Sequence, residues 1–321
     1  MGDATPGSGD SARFIHTCNN LCLTMKTLPF RQLPSLVAVS LTFALVMALD
    51  TAGASASSAA ATLTSQQVAP AIETAPGVAI STGRQAPPRG RAAATASPLY
   101  RTGTLPTMRC QAGQIRAGSA ASYRTFVTKM VRCLNRAWKT QFRKTNLSFS
   151  HPNLRFTSTT KVTTPCGRWP SSAGGMYCSS NRTIYIGVTR EVLKNAFVAN
   201  HAQFIAHEYG HHVQHLAGII NYYSNSVWRA SSSTKLAFSR RLELQADCLG
   251  SAFLRKAADD LPVDPAHWDA MVSWVHDNGH KNWPKNDHGK GRSQAYWMER
   301  GFNAGSPSAC NTWSAPTGRV A

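Results

Sequence analysis

His207 and His211 stand four residues apart, with Glu208 between them, in the run His207-Glu208-Tyr209-Gly210-His211. On a helix, side chains four apart lie about 40° from each other on one face and about 6 Å along the axis, so two imidazoles can grip one ion. Glu208 is turned about 100° from His207, outside the ligand pair and beside the position such an ion leaves open. A carboxylate there can accept a proton from a water at that position. Zinc needs a third protein ligand while one position stays open for solvent. Glu243, opening Glu243-Leu244-Gln245-Ala246-Asp247, is the candidate. Asp247 lies one turn later on the same helix face and is assigned to accept the free ring N–H of a ligand histidine, which fixes its tautomer. Acidic residues are scarce: 105–257 holds only Glu191, Glu208, Glu243 and Asp247, three of them inside the two motifs. The competing reading is a solvated helix whose carboxylate pairs with Arg240 or Arg241.

Other histidines test this assignment. His215 is eight residues from His207, about 12 Å along the axis, and His212 is turned about 100° from His211, so both are expected to cap or solvate the helix. His288, in Asp287-His288-Gly289, is the candidate donor to the oxyanion of a tetrahedral intermediate. A loop histidine without that role is its alternative. The extended metzincin pattern would require Gly at 214 and His at 217, where Gln214 and Ala217 stand. The chemistry these residues could perform is hydrolysis of an amide bond, with Glu208 as general base and zinc as the cofactor.

Two helices must carry these groups. Glu191 to Gly218 includes the first motif, flanked by Phe197, Phe204, Ile205, Val213 and Leu216, with Gly218 as its stop. After a polar loop through Ser233, a second helix from about 236 to 258 carries Glu243 and Asp247. Tyr123, Phe126, Met130, Leu134 and Trp138 recur at helical spacing and predict an amphipathic helix over 122–142. Strands are expected at 154–156 and 183–186, and further helices at about 266–276 and 292–303. The fold class is therefore α+β, mostly helical, with a small sheet preceding the first motif helix.

The chain has 321 residues, and its first third does not read as globular. Met25, followed by Lys26, Arg31, the apolar run Leu36 to Leu49 and Ala54-Ser55-Ala56, has the layout of a secretory signal over 1–56. Secretion is the expectation, with an uncleaved membrane anchor as its alternative. Residues 57–105 are rich in Ala, Ser, Thr and Pro and read as a disordered linker or pro-segment, leaving 106–315 as the catalytic domain. The net charge of +19 stays with the chain beyond 56, because 1–56 contains three basic and three acidic residues. Such a charge favours anionic partners, anionic cell-wall polymers among them, although the cations are scattered and no specific nucleic-acid motif is present. Six cysteines follow residue 56, and an even number in an exported chain predicts disulfides. Cys166 pairs with Cys178 across a short Gly- and Pro-containing segment, and Cys110–Cys133 with Cys248–Cys310 completes one of fifteen possible connectivities.

The chain resembles the putative neutral zinc metallopeptidase family of bacteria. The resemblance runs through most of 110–313 and includes Tyr177-Cys178, Ile184-Tyr185-Ile186, the two motifs, His288-Gly289, Trp297, Arg300-Gly301-Phe302 and Cys310-Asn311-Thr312. It implies a zincin-like fold and a zinc-dependent peptidase acting on peptide or protein substrates, with His207, His211 and Glu243 as ligands and Glu208 as base. Tyr209, Gly291 and Gln294 depart from the pattern, the first where a smaller apolar residue is expected and the others where Ser and Arg are. Two other readings compete: a basic cell-surface binding protein with a structural zinc site, and a zinc amidase acting on cell-wall peptides.

Overall fold

A computed structural model describes residues 85–321 except 160, 170–172, 262 and 284. The expected export segment and the first part of the expected linker lie outside the described residues. From 85 onward the chain is packed, so residues 85–105 of the expected linker belong to the folded unit. Within the stretch that composition assigned to a linker, α1 (Arg91–Thr95) and a 3₁₀ turn at Pro98–Arg101 bury Ala93, Ala94, Ser97, Leu99 and Leu105. The physical reason is that small residues fit where helices approach closely. The half-buried Tyr100 follows, and its hydroxyl accepts from Gln245 Nε2.

The amphipathic helix appears as α2 (Ala120–Arg143), its Ser119 cap accepting from the Ser122 N–H. Tyr123, Phe126, Met130, Leu134 and Trp138 are all buried on its inner face. A small sheet follows. β1 (Asn153–Thr157) pairs parallel with β5 (Thr183–Gly187), and β4 (Gly175–Cys178) pairs antiparallel with β5 on its other side. β2 (Thr163–Thr164) and β3 (Gly167–Arg168) form a separate short hairpin whose turn is tied to β4 by the Cys166–Cys178 bond. The described residues are thus mostly helical with a small sheet, as an α+β protein.

The expected helix at 191–218 is two helices, α3 (Arg190–Lys194) and α4 (Val198–Leu216). Asn195 breaks them, its side chain accepting from the Phe197 N–H. Gly218 adopts a left-handed conformation, φ 80°, and stops α4. The segment expected as a polar loop is instead α5 (Ile219–Val227), because Ile219, Ile220, Tyr223 and Val227 fall at helical spacing and bury one face. α6 (Ser232–Ala257), α7 (Pro265–Asn282) and α8 (Gly291–Ala304) complete the fold. All three expected disulfides are formed: Cys110–Cys133, Cys166–Cys178 and Cys248–Cys310. No helix among the described residues is long and apolar enough to cross a membrane.

α4 and α6 lie against each other at an unusually close approach. A Cβ at Gly210 would stand 2.9 Å from the Ala246 carbonyl oxygen, and one at Gly250 would stand 3.0 Å from the Ala206 carbonyl carbon and the His207 nitrogen. The two glycines face small residues on the opposite helix, so the backbones meet with little side chain between them.

Candidate metal centre

α4 is buried on almost every side, including His207 and Glu208, while α6 buries Glu243 completely. Their close packing brings His207 Nε2 and His211 Nε2 each to 3.2 Å from Glu243 Oε2 and to 3.1 Å from each other. His207, His211 and Glu243 therefore form a group able to hold one metal ion. Glu243 supplies the test of fit: neither of its buried oxygens has a hydrogen-bond partner. A buried carboxylate ringed by nitrogen atoms that stand near it without donating well is costly unless a cation lies among them.

The outer nitrogens of the rings explain this geometry. His207 Nδ1 donates to Asp247 Oδ1 at 2.7 Å, and His211 Nδ1 donates to Gln214 Oε1 at 2.9 Å. Gln214 is held in turn, its amide nitrogen donating to the Leu242 carbonyl and to Gln245 Oε1. With Nδ1–H fixed outward, it is Nε2 of each neutral ring that offers its lone pair inward, to a metal ion. The ring that Asp247 accepts from is His207. Gln214 does the same work for His211, and sequence reasoning missed it. The available signal was a polar residue three positions beyond a candidate ligand, on a helix face too apolar to be solvated.

His288 arrives from the segment between α7 and α8. Its Nε2 lies 3.2 Å from Glu243 Oε2, and its Nδ1 donates to Asp287 Oδ1 at 2.8 Å. The Trp283 ring stacks on it with planes 10° apart. The structure thus brings His288 to the same carboxylate as the two motif histidines. Asp287 and Trp283 were missed, although an acid directly before a candidate histidine was visible.

The electrostatics follow from burial and the shared carboxylate. Burial alone would keep Glu243 protonated, but His211, His288 and His207 hold it well below the usual carboxylate range. Burial opposes charge on His288, yet Glu243 and Asp287 push it up to about 9. His207 is likewise raised well above its ordinary value, burial being outweighed by Asp247 and Glu243. Glu208 moves up because it is buried, against the opposing pull of His207 and His211. The backbone of Tyr177, on β4, hydrogen-bonds its carboxylate.

His212 and His215 neither cap nor solvate the helix. His215 Nδ1 lies 2.7 Å from the Tyr177 hydroxyl, which lies 3.0 Å from His212 Nδ1, and His212 Nε2 donates to the Ser150 carbonyl. This chain fastens β4 to α4 on the side that positions Glu208. A cavity of about 90 Å³ opens beside His207 and His288, its walls including Phe204, Met271, Trp274 and Trp283. Asn200, whose amide nitrogen lacks an acceptor, also lines it.

The sequence model of the family described as "putative neutral zinc metallopeptidase" matches residues 97–267. Among curated proteins, the chain is 27% identical over 192 residues to the uncharacterized protein YpfJ of Escherichia coli strain K12, covering 55% of this chain and 66% of that protein. It is 28% identical over 193 residues to the uncharacterized protein Rv2575 of Mycobacterium tuberculosis, covering 52% of this chain and 64% of that protein. The match thus spans just under two thirds of these relatives' length. No solved structure matches the chain.

Proposed function

Because the chain belongs to the putative neutral zinc metallopeptidase family, we propose that it is an exported, zincin-like peptidase that holds zinc with His207, His211 and Glu243 and hydrolyses peptide bonds. The observation that carries this reading is the convergence of two imidazole nitrogens on a buried carboxylate that has no hydrogen-bond donor of its own. Zinc, when bound, supplies a Lewis acid that polarises the scissile carbonyl and makes water more acidic. Glu208, buried and hydrogen-bonded by the Tyr177 backbone, accepts the proton of the attacking water and delivers it to the leaving amine. Its upward shift, caused by burial, makes it a stronger base than an ordinary surface carboxylate. His288 donates from Nε2 to the carbonyl oxygen as that atom gains charge, with Asp287 holding the ring and Trp283 excluding water from its face. The cavity beside it suits a small apolar side chain next to the scissile bond, with the Asn200 amide available to a substrate carbonyl.

The test compares the parent with Glu208→Gln and Glu243→Ala for metal content and peptide hydrolysis. Glu208→Gln is expected to retain zinc while its kcat falls by about two to four orders of magnitude. Glu243→Ala is expected to lose the metal. Hydrolysis undiminished in both variants would remove the peptidase reading, and tight peptide binding without turnover in the parent would favour a binding protein with a structural site.

A further inference from the structure

The outer face of α2 carries cations that neither the core nor the metal centre uses. Lys129, Arg132, Arg136, Lys139 and Arg143 are all exposed. Spaced by three and four residues, they fall within about 80° of one another and form one ridge about 21 Å long, with neighbours about 4.5 to 6 Å apart along the axis. α2 contains no acidic residue, and among the described residues no carboxylate pairs with any of the five. The side-chain hydrogen bonds that Arg136 and Arg143 make go to uncharged groups, including the Arg109 carbonyl and the Thr140 hydroxyl. Like charges at these spacings destabilise a helix, and only the last turn is compensated by the helix dipole. At its C-terminal end the ridge runs into an open groove of about 470 Å³ whose walls include Lys139, Arg143, Phe149 and His151.

We propose that this ridge and groove bind an extended polyol-phosphate polymer laid along α2, with successive phosphates opposite successive cations. A phosphate repeat joined through a three-carbon polyol has six backbone bonds and reaches about 7 Å at full extension, by the same per-bond reach as two peptide residues. Contraction by about a quarter brings that repeat to the mean cation spacing of about 5.3 Å along the axis. The other faces of the surface narrow the choice. The ridge itself carries no aromatic side chain, and Phe149 on the groove wall is packed against Phe142 and the core, so neither offers the row of free rings on which single-stranded nucleic acids stack. The apolar face of α2 is spent in the core, so the helix has none to lay into a membrane. This inference does not rest on the peptidase reading; an enzyme or a binding protein would be held on the same polymer.

The test titrates the full chain with synthetic poly(glycerol phosphate) at increasing salt. With five phosphates engaged, log K should fall against log salt with a slope of about −3 to −4. The variant Lys129→Gln/Arg132→Gln/Arg136→Gln/Lys139→Gln is expected to bind at least about tenfold more weakly and to flatten that slope. A control removes the same charge from exposed positions elsewhere, Arg89→Gln/Arg168→Gln/Arg229→Gln/Lys281→Gln, and should stay within about threefold of the parent. Unchanged circular dichroism in both variants verifies folding. Equal weakening of both would show that net charge, not the ridge, binds the polymer. Tighter binding of the parent to oligothymidylate or to phosphatidylglycerol vesicles than to the polyol phosphate would overturn the assigned ligand.

Discussion

Every imidazole around Glu243 has its outer nitrogen committed to an acceptor: Asp247 for His207, Gln214 for His211 and Asp287 for His288. That commitment orients the rings and raises the basicity of the inner nitrogens. Asp247→Ala should therefore weaken zinc binding by about 10- to 100-fold without unfolding the protein, read by competition with a chelator. Retained affinity would mean that His207 is oriented by packing alone. At this scale much was legible. His207, Glu208 and His211 follow from four-residue spacing, and Glu243 and Asp247 follow from a shared face and the scarcity of other acids. Gln214 and Tyr177 were not legible as site residues, because a neutral glutamine and a strand tyrosine carry no charge signature. Their work depends on which neighbour the fold gives them.

The helices α4 and α6 hold the centre together through small residues. Gly250 packs on the backbone of Ala206 and His207, so a larger side chain there must push α6, and with it Glu243, away from the two histidines. Gly250→Val is expected to lower stability by about 1 to 3 kcal/mol, as overpacking does, and to weaken zinc binding as well. Leu254→Ala, one turn further along the same helix and buried, should destabilise by about 2 to 5 kcal/mol through a cavity while leaving the metal affinity of the folded protein unchanged. Thermal unfolding and metal titration of both variants separate the two effects; equal metal affinities would show that the helix spacing does not set the ligand geometry. The longer helices were foreseeable from apolar period; α1 in the expected linker, the break between α3 and α4 at Asn195, and α5, where a polar composition hid the spacing of Ile219, Ile220, Tyr223 and Val227, were not.

For the whole molecule, acid is the expected weakness. His201, His212 and His215 are all shifted down by burial, His212 to about 4. A histidine depressed in the folded state contributes stability that is complete above its unfolded value, near 6.5, and is lost as pH falls through the folded value. For His212 the full loss on acidification from about 6.5 to below about 4 is about 3 kcal/mol. The unfolding midpoint of the metal-free protein should fall across that window, and His212→Gln should fall less steeply. Parallel curves for the two would show that His212 is not what the acid acts upon. Charge belongs to this scale too: the +19 net charge gave a general attraction for anions, and α2 concentrates part of it into a ridge.

The sequence by itself determined the main helical periods, the two motifs that offer candidate ligands, the even cysteine count and the excess of positive charge, because each depends on residue type and local spacing. Only the tertiary structure decided that His288 faces Glu243, that residues 85–105 belong to the packed unit, and that two glycines set the distance between the ligand helices. These depend on contacts between segments far apart in the chain, and the pattern of one segment carries no record of the surface it will meet.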